Sequence, residues 1–290
     1  MSGVGDTGPG PGAIAWIDGP SPEGTWGDPD RLCLPLNDRG LLLADGLFET
    51  VLVQAGRPRL LAEHLARWQA SAASLGMAPP PGADRVRPLL AEAVARSGLS
   101  GDGALRLNWS RGRGGGRGLG LPGPGEPQGQ PRFWLQLSPW TRPSAPVAVI
   151  VSRVERRNPD SLVGRCKTFA YAGAIQALRE ARAAGADDAL LLGGGGGLCS
   201  GTSANLLVRL KGAWITPPLA SGCLPGVMRG RGLALGLVRE GGLGVADLLA
   251  SEGALLINSL GLRPIRRCES RELPLPSGAE SLWERLLASA

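Results

Sequence analysis

The chain has 290 residues, a formal net charge of +6, 43% hydrophobic residues and 19% charged residues, a balance typical of a folded globular protein rather than a disordered one. The length predicts two domains, because most single domains hold roughly 100 to 200 residues. The arginines are spread over the chain without a block of consecutive basic residues. This spread argues against a nucleic-acid-binding surface and favours a few contacts with small anions.

Three further features predict a soluble protein of the cytoplasm. No apolar run approaches the roughly 20 residues that are needed to span a bilayer, so no membrane association is expected. Residues 1–12 are rich in Gly and Pro and lack the basic and apolar regions of a signal peptide, so we interpret them as a flexible leader. The five cysteines are widely spaced and form no CxxC pair, which predicts reduced thiols and gives no support to a metal site.

Residues 13–121 predict a small α/β domain. Apolar residues three and four positions apart indicate helices, and short alternating runs indicate strands. An Arg-Gly-rich tract at 110–118 is interpreted as a loop over a site, with RNA binding as the weaker alternative. The predicted strands are 13–18, the second half of 41–53, and 104–109, and the predicted helices are 61–75, ending at Gly76, and 83–96, ending at Gly98.

Residues 122–131 contain four prolines and three glycines, which predicts a linker between domains. Residues 132–290 then predict a larger domain of strands and helices. Ser277 and Glu280 have the spacing of a capping box for the last helix. The other predicted elements are strands at 133–137, 147–151, 189–192, 205–210, 213–216 and 254–257, and helices at 171–184 and from 224 onward.

Lys167 stands out because the chain contains only two lysines, and its neighbour Tyr171 is the one tyrosine. A lysine amine can lose its proton and attack a carbonyl, which an arginine cannot do. Composition alone nevertheless favours a solvated lysine at a helix start. The second lysine, Lys211, is explained as a turn residue of the predicted hairpin.

Several separate segments together resemble one family, the fold-type IV pyridoxal-phosphate enzymes, which include branched-chain and D-amino-acid aminotransferases and aminodeoxychorismate lyase. The resemblance runs from about Ile17 to Ile265 and implies a small α/β domain plus a larger domain with a barrel-like sheet. It also implies pyridoxal 5′-phosphate as cofactor, a small anionic substrate and a homodimer. The motifs that carry it are Asp38-Arg39-Gly40, Ala44-Asp45-Gly46-Leu47-Phe48-Glu49-Thr50, His64 with Arg67, Arg111-Gly112 with Arg117-Gly118, Lys167-Thr168 with Tyr171, Gly201-Thr202 with Asn205, Leu224-Pro225-Gly226 and Asn258-Ser259-Leu260.

By this resemblance Lys167 is the catalytic residue, which would hold the cofactor aldehyde as a Schiff base and then carry a proton. Tyr171 corresponds to a tyrosine near the cofactor ring. Arg111 and Arg117 are the candidates for binding the carboxylates of the substrate, and the sequence does not choose between them. Asn258 is a further candidate for substrate binding.

The resemblance also assigns a phosphate site. Arg67 matches the phosphate-binding arginine of the family, a role that suits a planar guanidinium on a rigid helix. Gly226 and Val227 match the helix start whose amides hold the phosphate, and Ser259 matches a hydroxyl beside it. Met228 departs from the pattern, because a phosphate-binding threonine is common there.

A second departure concerns the pyridine ring. The family places a glutamate against the ring nitrogen, and this chain has Ser200 at that position. A hydroxyl does not hold the nitrogen protonated as a carboxylate does, so the ring is expected to be a poorer electron sink. Since elimination of pyruvate from 4-amino-4-deoxychorismate creates an aromatic ring, and the Asn258-Ser259-Leu260 turn looks like the lyase version, a lyase is favoured. An aminotransferase of the same fold and a descendant without catalysis are the alternatives.

Overall fold

A computed structural model of the chain describes residues 12–19, 21, 23–113, 118–121 and 129–288. The chain divides into two compact units, Met1–Thr141 and Arg142–Ala290. Most of the predicted leader, Arg117 and residues 122–128 of the predicted linker lie outside the described residues. Across the described ranges, no helix combines the length and the apolar character needed to cross a membrane.

The first unit contains one antiparallel sheet of six strands in the order β2-β1-β6-β5-β3-β4. The rings of Trp16 and Trp68 both pack against Phe133, with centroids 5.4 and 5.9 Å away, and these buried aromatics join the sheet to its helices. The elements are β1 (Ile14–Ile17), β2 (Thr25–Gly27), α1 (Arg39–Leu43), β3 (Gly46–Gln54), β4 (Arg57–Pro58), α2 (Leu61–Ser74), α3 (Ala83–Ser97), β5 (Gly103–Ser110) and β6 (Arg132–Pro139).

The two long helices confirm the sequence prediction. Leu61, Leu65 and Trp68 of α2 are buried, as the apolar spacing indicates. Gly76 and Gly98, which follow the two helices, have φ angles of +57° and +59°. Glycine adopts this left-handed backbone without steric cost, so both helices end where the sequence predicts.

Strand β6 corrects the predicted domain boundary. We expected the second domain to begin at residue 132, but β6 pairs with β1 and with β5 in the first sheet. The division of the chain follows Thr141 instead. The physical reason is burial, because Phe133, Leu135 and Leu137 of β6 are fully buried and belong to the core of the first unit. The Gly- and Pro-rich segment before β6 gives no sign that the chain returns to the first sheet after it.

The second unit is built on a nine-stranded sheet that closes on itself. Strands β10, β13, β14, β7, β8 and β9 follow one another, and β9 pairs again with β10 through Ser200 and Asn205. This ring of six strands is the barrel-like sheet that the resemblance implies. The elements are β7 (Val147–Arg156), α4 (Ala172–Ala183), β8 (Asp188–Leu192), β9 (Leu198–Ser200), β10 (Asn205–Leu210), β11 (Ala213–Thr216), α5 (Val227–Ala234), β12 (Val238–Glu240), α6 (Val245–Leu249), β13 (Ala254–Asn258), β14 (Gly261–Cys268), β15 (Arg271–Glu272) and α7 (Ala279–Leu287).

Alternation along β7 separates two apolar clusters. Val147 and Val149 belong to one buried cluster with residues of β8, β10, β13 and β14. Ala148 and Ile150 belong to another, which includes Ala177 of α4. Successive side chains of a strand point to opposite faces, so the wall of the barrel is apolar on both sides and α4 covers the outside.

The last helix does not have the predicted capping box. Gly278, with a φ angle of +78°, is the residue before α7, and no side chain caps the first turn. Ser277 lies one position earlier, and its carbonyl and hydroxyl are 3.2 and 3.5 Å from Nη1 of Arg209. A long-range contact therefore replaces the local one that the spacing indicated.

Candidate active site

The pairing that closes the barrel creates one edge where several predicted site residues meet. Ser200 pairs with Asn205, and Asn205 also pairs with Ile257, the residue before Asn258. The side-chain amide of Asn258 approaches the Ser203 carbonyl at 3.4 Å. We call this end of the barrel, formed by Ser200, Asn205 and Asn258, the barrel rim.

The start of α5 is fixed to the barrel rim through Asn205. The side chain of Asn205 donates a hydrogen bond to the Leu224 carbonyl at 3.0 Å. A methyl group on Gly226 would lie 1.9 Å from Oδ1 of Asn205, so this position accepts only glycine without movement. The Gly226 amide donates to the Leu224 carbonyl at 2.8 Å. Because the first amides of a helix have no partners within it, Val227, the first residue of α5, presents its N–H group at a positive dipole end, which suits a phosphate.

Ser200 has an arginine as its neighbour. Nε of Arg157, just beyond the end of β7, donates to the Ser200 hydroxyl at 3.2 Å. Nη2 of Arg157 donates to the Thr202 carbonyl at 3.1 Å. Ser200 is only 4% exposed, so a guanidinium lies beside a buried neutral hydroxyl at the position where the sequence resemblance predicts a carboxylate.

Lys167 and Tyr171 are in direct contact. Nζ of Lys167 donates to the Tyr171 hydroxyl at 3.1 Å. Both residues belong to the segment just before α4, and this contact restricts the position of the amine. Gly164, three residues before Lys167, shows where this segment lies. A methyl group added to Gly164 would be 3.9 Å from the Gly222 carbonyl, so the segment passes close to Gly222. Gly222 in turn lies against Arg157, whose Cβ would be 3.1 Å from a methyl group there. The structure therefore brings the lysine segment, the Ser200 region and the α5 loop to one end of the second unit.

Ser259 sits at the tip of a tight turn. Asn258 pairs with Gly261 across the β13–β14 hairpin, leaving Ser259 and Leu260 as the two connecting residues. The Asn258 carbonyl oxygen of the side chain accepts from the Leu260 amide at 2.9 Å, which shapes the turn locally. The turn thus presents Ser259 at the barrel rim, where Asn258 already lies.

Arg67 belongs to a buried cluster in the first unit. Its guanidinium donates to both oxygens of Glu49, at 2.8 and 2.5 Å, and Nδ1 of His64 lies 2.7 Å from Glu49 Oε2. Glu49 and His64 are 0% and 1% exposed. Burial opposes ionisation of Glu49, but the hydrogen bond with His64 and the positive charge of Arg67 outweigh it and lower the pKa of this carboxyl. His64 is accordingly a structural residue that helps to fix Arg67.

Arg111 makes contacts of a structural kind. Its guanidinium donates to Asp45 at 2.9 Å and to the carbonyls of Gly76 and Leu75 at 2.8 and 2.9 Å. These carbonyls follow the end of α2, so Arg111 ties β5 to that helix terminus. Its role as a substrate ligand stays a prediction, as does that of Arg117, which lies outside the described residues.

Arg106 is a candidate that the sequence analysis did not single out. Leu105, Leu107 and Trp109 of β5 are buried, so Arg106 projects from the other face of the sheet. Its Nε donates to Asn108 at 2.8 Å, and its guanidinium lies 3.7 Å from the ring centroid of Phe48. The alternation of apolar and polar residues in β5 is the signal that finds it.

Two thiols lie next to the Ser200 region. The Ser221 hydroxyl is 3.3 Å from the sulfur of Cys199, and the thiols of Cys199 and Cys223 interact with each other. The hydrogen bond from Cys199 lowers the pKa of Cys223 to about 7, helped by the charge of Arg229 and opposed by burial. The same contact, together with burial, raises the pKa of Cys199. None of the five cysteines is in a disulfide.

Comparison with known proteins identifies the class to which this fold and site belong. The family model for class IV amino-transferases matches residues 46–268, and the chain belongs to that family. A bifunctional aminodeoxychorismate lyase and D-amino acid transaminase of Mycobacterium tuberculosis is 28% identical over 88% of this chain and 93% of its own length.

Solved structures agree with this assignment. The 4-amino-4-deoxychorismate lyase of Pseudomonas aeruginosa has a TM-score of 0.73 and 30% identity, over 94% of this chain and 97% of that one. A hypothetical aminotransferase of Mycobacterium tuberculosis, described as PLP-bound, has a TM-score of 0.78 and 26% identity over the same shares, 94% and 97%. The protein is therefore an enzyme of the class IV aminotransferase family, whose cofactor is pyridoxal 5′-phosphate.

The residues of this chain fit that cofactor with one exception. A reactive amine at Lys167, a nearby phenol and a glycine-lined helix start are the chemistry that an aldehyde, a ring and a phosphate require. A Cβ at position 226 would meet Oδ1 of Asn205 at 1.9 Å, so the start of α5 requires glycine there. Ser200, which the sequence predicts to face the ring nitrogen, is the exception, since a hydroxyl beside Arg157 does not favour a protonated nitrogen.

Proposed function

We propose that this enzyme is a pyridoxal-phosphate-dependent lyase that converts 4-amino-4-deoxychorismate to 4-aminobenzoate and pyruvate. The observation that carries the proposal is the hydrogen bond from Arg157 to Ser200. A positive charge and a neutral hydroxyl at this position weaken the electron sink. Elimination of pyruvate creates an aromatic ring, so the substrate itself supplies driving force that an amino-group transfer lacks.

Lys167 has the central role in the proposed reaction. It would hold the cofactor through its amine and, once released, take the proton from the carbon that carries the substrate amine. When bound, the cofactor supplies electron withdrawal from that carbon. Tyr171 supports this step by accepting a hydrogen bond from Nζ at 3.1 Å, which keeps the amine in a defined position.

Four residues are proposed to form the phosphate site. Val227 offers a helix amide, Gly226 gives the start of α5 room beside Asn205, and Ser259 offers a hydroxyl from the hairpin tip. Arg67 offers a guanidinium whose orientation is set by Glu49. Met228, which replaces the common threonine, is 2% exposed and packs as an apolar side chain.

Substrate carboxylates need cationic partners, and we propose Arg106 as a partner in addition to the predicted Arg111, Arg117 and Asn258. Arg106 projects from the face of the first sheet opposite to Leu105 and Leu107, and its Nε is held by Asn108. Arg111 has three polar partners of its own within the first unit.

An aminotransferase acting on branched-chain or D-amino acids is the second candidate. It is supported by the relative from Mycobacterium tuberculosis, whose name combines a lyase and a transaminase activity. A shared site for both reactions is chemically reasonable, because each begins with removal of the proton from the carbon that carries the substrate amine.

The assignment is tested by two assays on the purified, cofactor-loaded protein. Production of 4-aminobenzoate and pyruvate in equal amounts from 4-amino-4-deoxychorismate is expected. Transfer of amino groups between amino and keto acids without any 4-aminobenzoate would reject the lyase in favour of the aminotransferase.

The role of Lys167 has a matched control in the same chain. Lys167→Ala is expected to lose the visible absorbance of the covalently held cofactor and to lower the rate by ~10³-fold or more. Lys211→Arg removes the other lysine amine, which lies in the β10–β11 turn, and is expected to change neither. Borohydride reduction followed by peptide mapping identifies the labelled lysine, and a label on Lys211 would refute the assignment.

We also propose a homodimer in the cytoplasm, with the reaction placed in folate biosynthesis. The resemblance supports the dimer, and five cysteines that form no disulfide support a reducing compartment. Light scattering on the purified enzyme measures the mass, and a monomer mass of 29.9 kDa over the working concentration range would reject the dimer.

A further inference from the structure

A cavity of about 540 Å³ lies in the second unit, between the β10–β11 turn, β12 and the start of α7. It is separate from the barrel rim. Asn205 begins β10 at the rim, whereas Arg209, near the other end of β10, lines the cavity. Four residues of a strand span ~13 Å, so the two sites lie at opposite ends of the same strand.

The cavity gathers positive charge. Its lining contains Arg209, Arg239 and Arg285, and no aspartate or glutamate is among the lining residues. Like charges around one cavity repel each other, so they favour an anion between them. Arg239 and Arg285 are exposed, and their guanidinium groups can reach a ligand without leaving a buried partner unpaired.

Carboxylates on neighbouring elements are already engaged. Glu240 of β12 pairs with Arg229, and Glu280 of α7 pairs with Arg142 at 2.6 Å. Glu252 accepts from the Gly212 amide at 3.0 Å and lies 3.6 Å from Nε of Arg209. These partners leave the cavity with an excess of positive charge.

The start of α7 adds neutral donors. Gly278 precedes this helix of nine residues, and no side chain caps its first turn. The Ser277 hydroxyl, which the sequence spacing assigned to a cap, lies near Arg209 at 3.5 Å. Ser277, Gly278 and Ser281 line the cavity, so the start of α7 and two hydroxyl groups lie beside it, and such groups can bind phosphate oxygens.

One wall of the cavity is apolar. Trp214, Leu237 and Val238 line it, and the Arg209 guanidinium lies 5.9 Å from the centroid of the Trp214 ring. An indole face beside cationic groups binds an aromatic body whose charged end meets the arginines. An inorganic ion would use only half of this surface.

We propose that this cavity is a second binding site, separate from the active site, for a small organic phosphate that carries a flat ring. The phosphate contacts Arg239, Arg285 and the start of α7, and the ring packs on Trp214. Bound there, such a ligand links β12 to α7.

Calorimetric titration of the cofactor-loaded enzyme tests this proposal with three probes: phenyl phosphate, inorganic phosphate and phenol. Phenyl phosphate is expected to bind more tightly than either of the others. Arg239→Ala with Arg285→Ala is expected to weaken phenyl phosphate by ~10-fold or more. Arg266→Ala with Arg271→Ala removes two exposed arginines outside the cavity and is the matched control for net charge.

Trp214→Leu separates the two halves of the site, because it is expected to reduce phenyl phosphate binding to the level of inorganic phosphate. Equal weakening in the two double arginine variants would overturn the proposal, since net charge alone would then explain it. Loss of binding in Lys167→Ala, with Arg239 and Arg285 intact, would also overturn it, because the probe would then occupy the active site. None of these readouts depends on the reaction that the enzyme catalyses.

Discussion

The two units fix their predicted phosphate-binding residues in different ways. In the first unit Arg67 is fixed by charge, since Glu49 and His64 are buried beside it. In the second unit the start of α5 is fixed by close packing, because Gly226 lies against the neutral amide of Asn205. Arg157 in this unit meets a hydroxyl rather than a carboxylate. We call the Glu49–Arg67 contact the charged anchor and the Gly226–Asn205 contact the packed anchor. Removal of a charge should disrupt the charged anchor, whereas addition of an atom should disrupt the packed anchor.

Removal of the Glu49 charge is expected to have the largest effect. Glu49→Gln leaves Arg67 in a buried site without its counter-ion, and breaking a buried pair in this way costs about 3–5 kcal/mol of the free energy of unfolding. Urea denaturation measures the change. Glu92→Gln, which breaks an exposed pair with Arg96, is the control and should cost less than ~0.5 kcal/mol. An equal loss in the free energy of unfolding in the two variants would show that the buried Glu49–Arg67 pair stabilises the protein no more than an exposed pair.

The same carboxylate predicts a pH dependence. Its pKa is lowered from 4.5 in the folded protein, so its contribution to stability is present above that value and is lost as the pH falls through the lowered folded value. The difference in the free energy of unfolding between the native chain and Glu49→Gln should therefore shrink on acidification. Denaturation at about pH 7 and below about pH 4 tests this. A difference that stays constant over that range would contradict a charged anchor.

Addition of one methyl group should break the packed anchor. Gly226→Ala places Cβ at 1.9 Å from Oδ1 of Asn205, so the α5 start must move, and cofactor affinity is expected to fall by ~10- to 100-fold. Fluorescence titration of the cofactor-free protein measures it. Gly230→Ala in the same helix meets no atom within 4 Å and should bind the cofactor normally. Restoration by Asn205→Ala in the Gly226→Ala background would trace the loss to this contact.

Ser200→Glu would give Arg157 a carboxylate partner, as Glu49 is the partner of Arg67 in the first unit. Of the four changes, we expect this one to have the smallest effect. A carboxylate beside Arg157 forms an ion pair and favours a protonated ring nitrogen. We expect the ratio of amino-group transfer to 4-aminobenzoate formation to rise by ~10-fold. Ser200→Ala removes the hydroxyl without adding charge and serves as the control. Parallel changes in both rates would argue against a role of this position in choosing the reaction.

Local sequence patterns predicted many of the helices and strands of the fold. The spacing of Leu61, Leu65 and Trp68 predicts α2, and the turn at Lys211 and Gly212 predicts the β10–β11 hairpin, as observed. The boundary before β6 and the capping box at Ser277 were wrong. In both cases a partner distant in sequence, β1 and β5 for the strand and Arg209 for the serine, replaced the local interpretation.

The candidate site divides in the same way. The sequence by itself determined which residue types stand at the chemically important positions: the amine of Lys167, the glycine at 226, and Ser200 in place of an acid. Only the tertiary structure decided their partners. Glu49 is 18 residues from Arg67, and Arg157 is 43 residues from Ser200. The reason is physical, because helices and turns depend on contacts a few residues apart. Glu49 meets Arg67 only when α2 packs on β3, and Arg157 meets Ser200 only when β7, β8 and β9 lie side by side in the barrel.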